Sequence, residues 1–226
     1  MLALALGSAV ITRASLEYFG EDLAPFVLEK LELSLPNEDL WMLALRIHVL
    51  AAAFCLPACL LLSLNVIVKR VPRVHRWLGR LTGTAVLFAL VPSGAYLSLW
   101  AKGGLPSTLG FLLSGAIVAV AMVQGVRTAR AGRFVEHRRW VLHVLAQLGV
   151  AVVSRAMLFA FDAAAVDEKL AYLVSLWVPV LGLFGLVELL TFRRRPLLAS
   201  RRTHEAPVGV RSAHVRSSGD RRAVGA

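Results

Sequence analysis

The stretch Leu40–Arg80, LWMLALRIHVLAAAFCLPACLLLSLNVIVKRVPRVHRWLGR, decides the fold. Its first part, Leu40–Val68, is almost wholly apolar, and a helix needs only ~20 such residues to cross a bilayer. It then turns abruptly basic, with Lys69, Arg70, Arg73, Arg76 and Arg80. A long apolar run with a basic flank is the pattern of a membrane span and its retained loop. Four further runs read the same way: Trp77–Trp100, Leu109–Val126, Trp140–Phe161 and Leu170–Phe192. Pro57, Pro92 and Pro179 fall inside spans, where membrane helices tolerate them. The expected fold is all-α, an integral membrane helical bundle with five clear transmembrane helices. MLALALGSAVIT, Met1–Thr12, is apolar but too short to span. It reads as a signal-like start, a surface helix, or a short sixth, N-terminal span.

The composition agrees. The 226 residues are 58% hydrophobic and carry a net charge of +11, with a mean hydropathy of +0.69. So basic a chain would suit nucleic acid only if the charge formed a face on a soluble fold. Here it clusters at the ends of apolar runs, so no nucleic-acid partner is expected and the partner is the lipid bilayer. The two cysteines, Cys55 and Cys59, lie four apart in one span, which suits packing on a shared helix face rather than a disulfide.

Basic connections alternate with poor or acidic ones. Arg127, Arg130, Arg133, Arg138 and Arg139 surround the third connection, and the tail carries Arg193, Arg194, Arg195, Arg201 and Arg202. Ala101–Thr108 has only Lys102, Asp162–Lys169 is mainly acidic, and Glu17, Glu21, Asp22, Glu29, Glu32, Glu38 and Asp39 precede the first span. Because Lys and Arg are retained on the cytoplasmic side, the first span runs outside to inside and the C-terminus is cytoplasmic. The expected division is an apolar start and acidic external segment over 1–39, the bundle over 40–192, and a basic, disordered tail over 193–226. Trp41, Trp77, Trp100 and Trp140 mark span ends, and Trp177 lies about two turns inside the last span.

Ionisable residues within spans are costly and mark interiors or sites. Counting depth at ~1.5 Å per residue, Arg46, His48 and Arg155 fall in the outer half as one candidate polar site. His75, His137, His143, Gln124 and Glu188 fall near the inner surface. Positions 18 apart share a helix face, so His75 aligns with Ser93, Thr82 lies near that line, and His137 aligns with Arg155. His48, Ala52, Cys55, Cys59 and Ser63 form one small-and-polar stripe, and His143, Gln147 and Ser154 form another. Plainer readings stand beside these. His75 and His137 suit a solvated interface among arginines, Arg46 is near enough to the surface to snorkel, and Glu188 could simply pair with Arg193 or a loop arginine.

The same residues carry a family resemblance. RIHVL with His48, HRWLGR from His75 to Arg80, SGAYLSL from Ser93, EHRRWVLH around His137 and His143, and SRAMLF with Arg155 occur in that order. Together they resemble the bacterial membrane family known as domain-of-unknown-function family 2306, over approximately Leu40 to Leu190. The resemblance implies a polytopic protein of the bacterial inner membrane with no assigned reaction. It makes His48, His75, Arg80, His137 and Arg155 candidates for a shared site. Members typically begin with an additional span, of which Met1–Thr12 resembles a shortened version. His143 and the cysteine pair lie outside the resembling motifs.

Two functions remain open on this reading. One is redox: a b-type haem with axial ligands among His75, His137 and His143, or a quinone at His48 and Arg155, with Arg80, Ser93 and Glu188 as supporting residues of the candidate sites. The outer layer offers only His48, which argues against a two-haem cytochrome. The other is non-enzymatic, an accessory, transport or lipid- and anion-binding protein in which Arg155 and Arg46 hold an anionic group, working as a homo-oligomer or with a membrane-complex partner. A membrane hydrolase or metalloenzyme is a weak third reading, since neither a metalloprotease H-E-x-x-H nor a G-x-S-x-G motif occurs; no catalytic residue is assigned and the metal is unknown.

Overall fold

Asn37 opens the first span. Its side chain accepts the Leu40 N–H at 2.9 Å, and Glu38 and Asp39 occupy the first turn, where the helix dipole favours negative charge. The resulting helix α2 (Glu38–Leu62) follows α1 (Leu2–Ala14) in the computed structural model, which describes residues 2–14, 27, 28, 30 and 35–192. The tail from 193 and most of the acidic segment before Leu35 lie outside the described residues.

Helix α2 ends at Leu62, not at Val68. The Ser63 hydroxyl donates to the Cys59 carbonyl at 2.7 Å, and Leu64 takes an extended backbone, so Asn65–Arg70 forms a separate short helix, α3. Pro72 disfavours helical geometry at Val71 and is itself suited to a first helical position. Helix α4 (Pro72–Ser98) therefore starts before Trp77. Its middle, Val86–Leu90, winds as a π turn just ahead of Pro92, which has no N–H to donate. A π turn holds one residue more than an α turn, so the faces on either side slip by about 100°. His75 and Ser93 thus do not share the face that an 18-residue spacing predicts for an unbroken α-helix.

Helices α5 (Leu105–Arg130) and α6 (Phe134–Ala163) extend beyond Leu109–Val126 and Trp140–Phe161 and form a tight antiparallel pair. Gly132 at φ +70° turns the chain, with Arg133 N–H donating to Thr128 and Gly132 N–H to Ala129, the Schellman arrangement. Helix α7 (Glu168–Phe192) completes the bundle. It packs closely on Gly110 of α5, where a Cβ would lie 2.8 Å from Leu176 Cδ2 and 3.3 Å from Trp177. Trp177 is inside the span because it packs there.

Helices α2, α4, α5, α6 and α7 are each long and apolar enough to cross a membrane, and no strand occurs among the described residues. The protein is an all-helical membrane bundle. Cys55, Val86, Ala121 and Val144, from four different spans, meet in its core with exposures of 0–1%. Leu43, Leu50, Phe88, Phe159 and Leu181 point outward, the apolar surface that a bilayer covers. Helix α1 falls short of a sixth span over its described residues. Its 13 residues rise only ~20 Å. It lies beside α6, Leu4 against Gly149 and Gly7 against Val152, with Leu2, Leu6 and Val10 turned outward.

Cys55 and Cys59 are free and buried. N-ethylmaleimide should leave both unlabelled in the folded, detergent-solubilised protein and label both in dodecyl sulfate, as read by intact mass. Labelling at the same rate in both would refute this core.

Candidate functional site

Helices α1, α2 and α4–α7 enclose a cavity of about 580 Å³ in the half of the bundle away from the arginine-rich connections. Apolar side chains form most of its wall. Its polar lining includes His48, Lys102, Ser114, Gln147, Ser154, Arg155 and Tyr172, with Ser8 of α1 and Lys30 at the edge.

His48 is clasped by α4. Its Nδ1 lies 3.2 Å from the Leu90 carbonyl and 3.2 Å from Ser93 Oγ. A carbonyl only accepts, so Nδ1 carries the proton, while the Ser93 hydroxyl donates to Ala89 at 2.6 Å. Nε2 is the ring nitrogen left for the cavity that His48 lines. The acceptor Leu90 ends the π turn, a distortion frequent at functional sites. Gly94 makes the clasp feasible, since a Cβ there would stand 2.9 Å from His48 Cε1 and 3.2 Å from Nδ1. The RIHVL and SGAYLSL motifs therefore meet, and Gly94 is the partner that helical period alone does not reveal.

Arg155 comes from α6 and lies within electrostatic reach of both His48 and Tyr172. Its Nη1 donates to the Ala151 carbonyl one turn back at 3.2 Å, and no carboxylate pairs with it among the described residues. Lys102, at the same end, meets Glu168 at 2.6 Å and ties the α4–α5 connection to the start of α7. Arg46 is exposed and does not line the cavity. Two residues from His48 is about 200° around the helix.

Arg193, one expected partner of Glu188, lies outside the described residues; among the described residues Glu188 meets Arg139 and His143. Arg139 Nη2 donates to both its carboxylate oxygens at 2.6 and 2.7 Å, and His143 Nε2 lies 2.9 Å from Oε1. The His143 ring is 1% exposed, packed between Trp140 and Phe184 with centroids at 5.9 and 5.0 Å. With Nε2 engaged by Glu188, His143 is not free through that atom for iron. One turn along α6, Gln147 donates to the Val180 carbonyl at 3.0 Å and accepts from Ser114 Oγ at 3.0 Å. The stripe His143–Gln147 thus faces the interior, and Gln147 reaches the cavity.

His75 and His137 lie within electrostatic range of each other, joining HRWLGR to EHRRWVLH. His137 Nδ1 donates to the Gly125 carbonyl at 2.8 Å, whereas His75 Nδ1 is buried without a hydrogen-bond partner. Arg80 is exposed and sits 5.4 Å from the centre of the Trp77 ring, an interface contact separate from these clusters.

Gly94→Ala should overpack the clasp and lower stability by about 1–3 kcal/mol, read from thermal unfolding in detergent. An unchanged midpoint would show that His48 is not held against Gly94.

No curated protein and no solved structure matches the chain. A family model described as "Predicted membrane protein (DUF2306)" matches residues 45–191, a range that includes the His48 clasp, both histidine clusters and Arg155. The chain belongs to that family.

Proposed function

We propose that the protein binds an amphipathic anion, an acyl or similar apolar chain bearing a phosphate or carboxylate, in the cavity between its spans. The observation that carries this reading is Arg155, a permanent charge at a largely apolar cavity with no carboxylate partner among the described residues. A charge held in a membrane protein usually serves a ligand, ion or partner. A planar guanidinium suits a phosphate or carboxylate, His48 Nε2 adds a second contact, and the apolar wall accepts a chain. If the arginine-rich connections face the cytoplasm, the cavity lies in the outer leaflet of a bacterial inner membrane.

A quinone is the second reading, favoured by the same pair, since Arg155 and His48 could both hold a ring carbonyl. A b-type haem is less well supported. His48 is the sole histidine in the cavity lining, and in the other layer Glu188 engages His143 Nε2.

Three probes separate these readings by thermal shift of the purified protein: lysophosphatidic acid, lysophosphatidylcholine of the same chain length, and decylubiquinone. A site at about 100 times its Kd adds ~2.7 kcal/mol of stability. Lysophosphatidic acid alone should raise the unfolding midpoint, and Arg155→Ala should remove that rise. A shift from decylubiquinone alone would replace the anion reading with the quinone. A sharp reduced-minus-oxidised α-band in the absorption spectrum would replace both with haem.

A further inference from the structure

We propose that His143 and Glu188 form the proton-carrying station of a path that joins the arginine-rich face of the bundle to the cavity. The inference does not depend on what occupies the cavity. It starts from the hydrogen bond between His143 Nε2 and Glu188 Oε1. Arg139 supplies two hydrogen bonds to the same carboxylate, which favours its ionised form, an acceptor only. Nε2 is then the donor, and the other ring nitrogen, Nδ1, keeps its lone pair. That Nδ1 is buried with no hydrogen-bond partner, in a side chain only 1% exposed.

An orphaned buried acceptor destabilises the fold, because its lost hydration is not replaced. A phenylalanine would fill the ring's place between Trp140 and Phe184 without that cost. The orphan nitrogen is the atom of a carboxylate–imidazole pair that takes up a proton. Among the described residues, the charged groups acting on His143 are Glu188 from α7 and Arg139 from its own helix, so these three side chains pass together from net neutral to one positive charge on uptake.

The two ends of the path are also visible. Glu188 keeps 38% of its side-chain exposure, at the end of the bundle where Arg127, Arg130, Arg133 and Arg138 cluster. In the other direction, Gln147 follows His143 by one turn of α6, a separation of ~5–6 Å between Cβ atoms. Gln147 and its partner Ser114 line the cavity. Water between Nδ1 and the cavity carries the proton over that turn. A proton arriving from the cavity forms an N–H bond at Nδ1. The Nε2–H bond then breaks as an O–H bond forms on Glu188, which releases its proton to water at the arginine-rich face. Water-relayed tautomerisation, in which the Nδ1–H bond breaks as an Nε2–H bond forms, restores the starting state of the ring. The reverse sequence moves a proton the other way, and no oxidant or reductant is needed. Histidine and carboxylate chains of this kind carry protons in membrane pumps and transporters.

The test uses the full chain in phosphatidylcholine vesicles containing pyranine, with a potassium diffusion potential set by valinomycin. The wild-type protein should move protons several-fold faster than protein-free vesicles. His143→Phe and Glu188→Gln should fall to the protein-free rate, and Arg80→Ala should conduct like wild type. If His143→Phe does not elute as a folded species, His143→Gln, which keeps a donor to Glu188 but cannot titrate, carries the same expectation. Wild-type flux equal to that of protein-free vesicles would overturn the proposal. So would wild-type flux in either His143 variant. The assay contains no anionic amphiphile, so a failed thermal shift at Arg155 and a failed flux at His143 are separate results.

Discussion

Hydrocarbon offers no hydrogen bonds, so a polar group inside the bundle is costly unless it finds a partner in the protein. This constraint organises the structure. The backbone meets it by forming long helices. Several of the polar side chains meet it by turning toward one another, and those pairings set which face of each span lies inside; His143 Nδ1 is an exception. His48 settles the rotation of α2 against α4 because Leu90 and Ser93 accept its Nδ1 proton. Gln147 joins α5, α6 and α7 because its amide needs both Ser114 and the Val180 carbonyl.

Helix α7 shows the same logic along its whole length. Polar contacts attach it at three heights: Lys102 to Glu168 near one surface, Gln147 to the Val180 carbonyl in the middle, and Arg139 with His143 to Glu188 near the other. Between them, Gly110 admits Leu176 and Trp177. In a bilayer, apolar packing gains little from leaving lipid, so small residues and interhelical hydrogen bonds carry helix association. The proposed binding cavity and the proposed proton path both depend on where α7 is held.

The polar layers divide the labour. Near the arginine-rich connections, Glu188 balances Arg139, and His143 completes a dyad. At the other end, Arg155 lines a cavity with no acid to balance it among the described residues, and His48 lies within its electrostatic reach. A relay suits a compensated cluster, whose charge can change by one, whereas a binding site for an anion suits an uncompensated one.

The sequence by itself determined the five spans, their flanks, and the short list of polar residues inside them. Apolar length and charge placement are local properties that the bilayer reads directly. Period alone also indicated the interior stripes, such as His143–Gln147 and Cys55–Cys59. Tertiary structure decided which of those residues meet. The π turn at Val86–Leu90 rotated Ser93 away from the line through His75 and toward His48. Gly94 mattered only because another helix comes within van der Waals contact of it. Glu188 found Arg139 and His143, both on a helix 45 residues or more away. A local pattern fixes a helix's faces only relative to one another. The rotation of each helix about its axis, and therefore the cavity and the dyad, comes from contacts between helices that no single segment encodes.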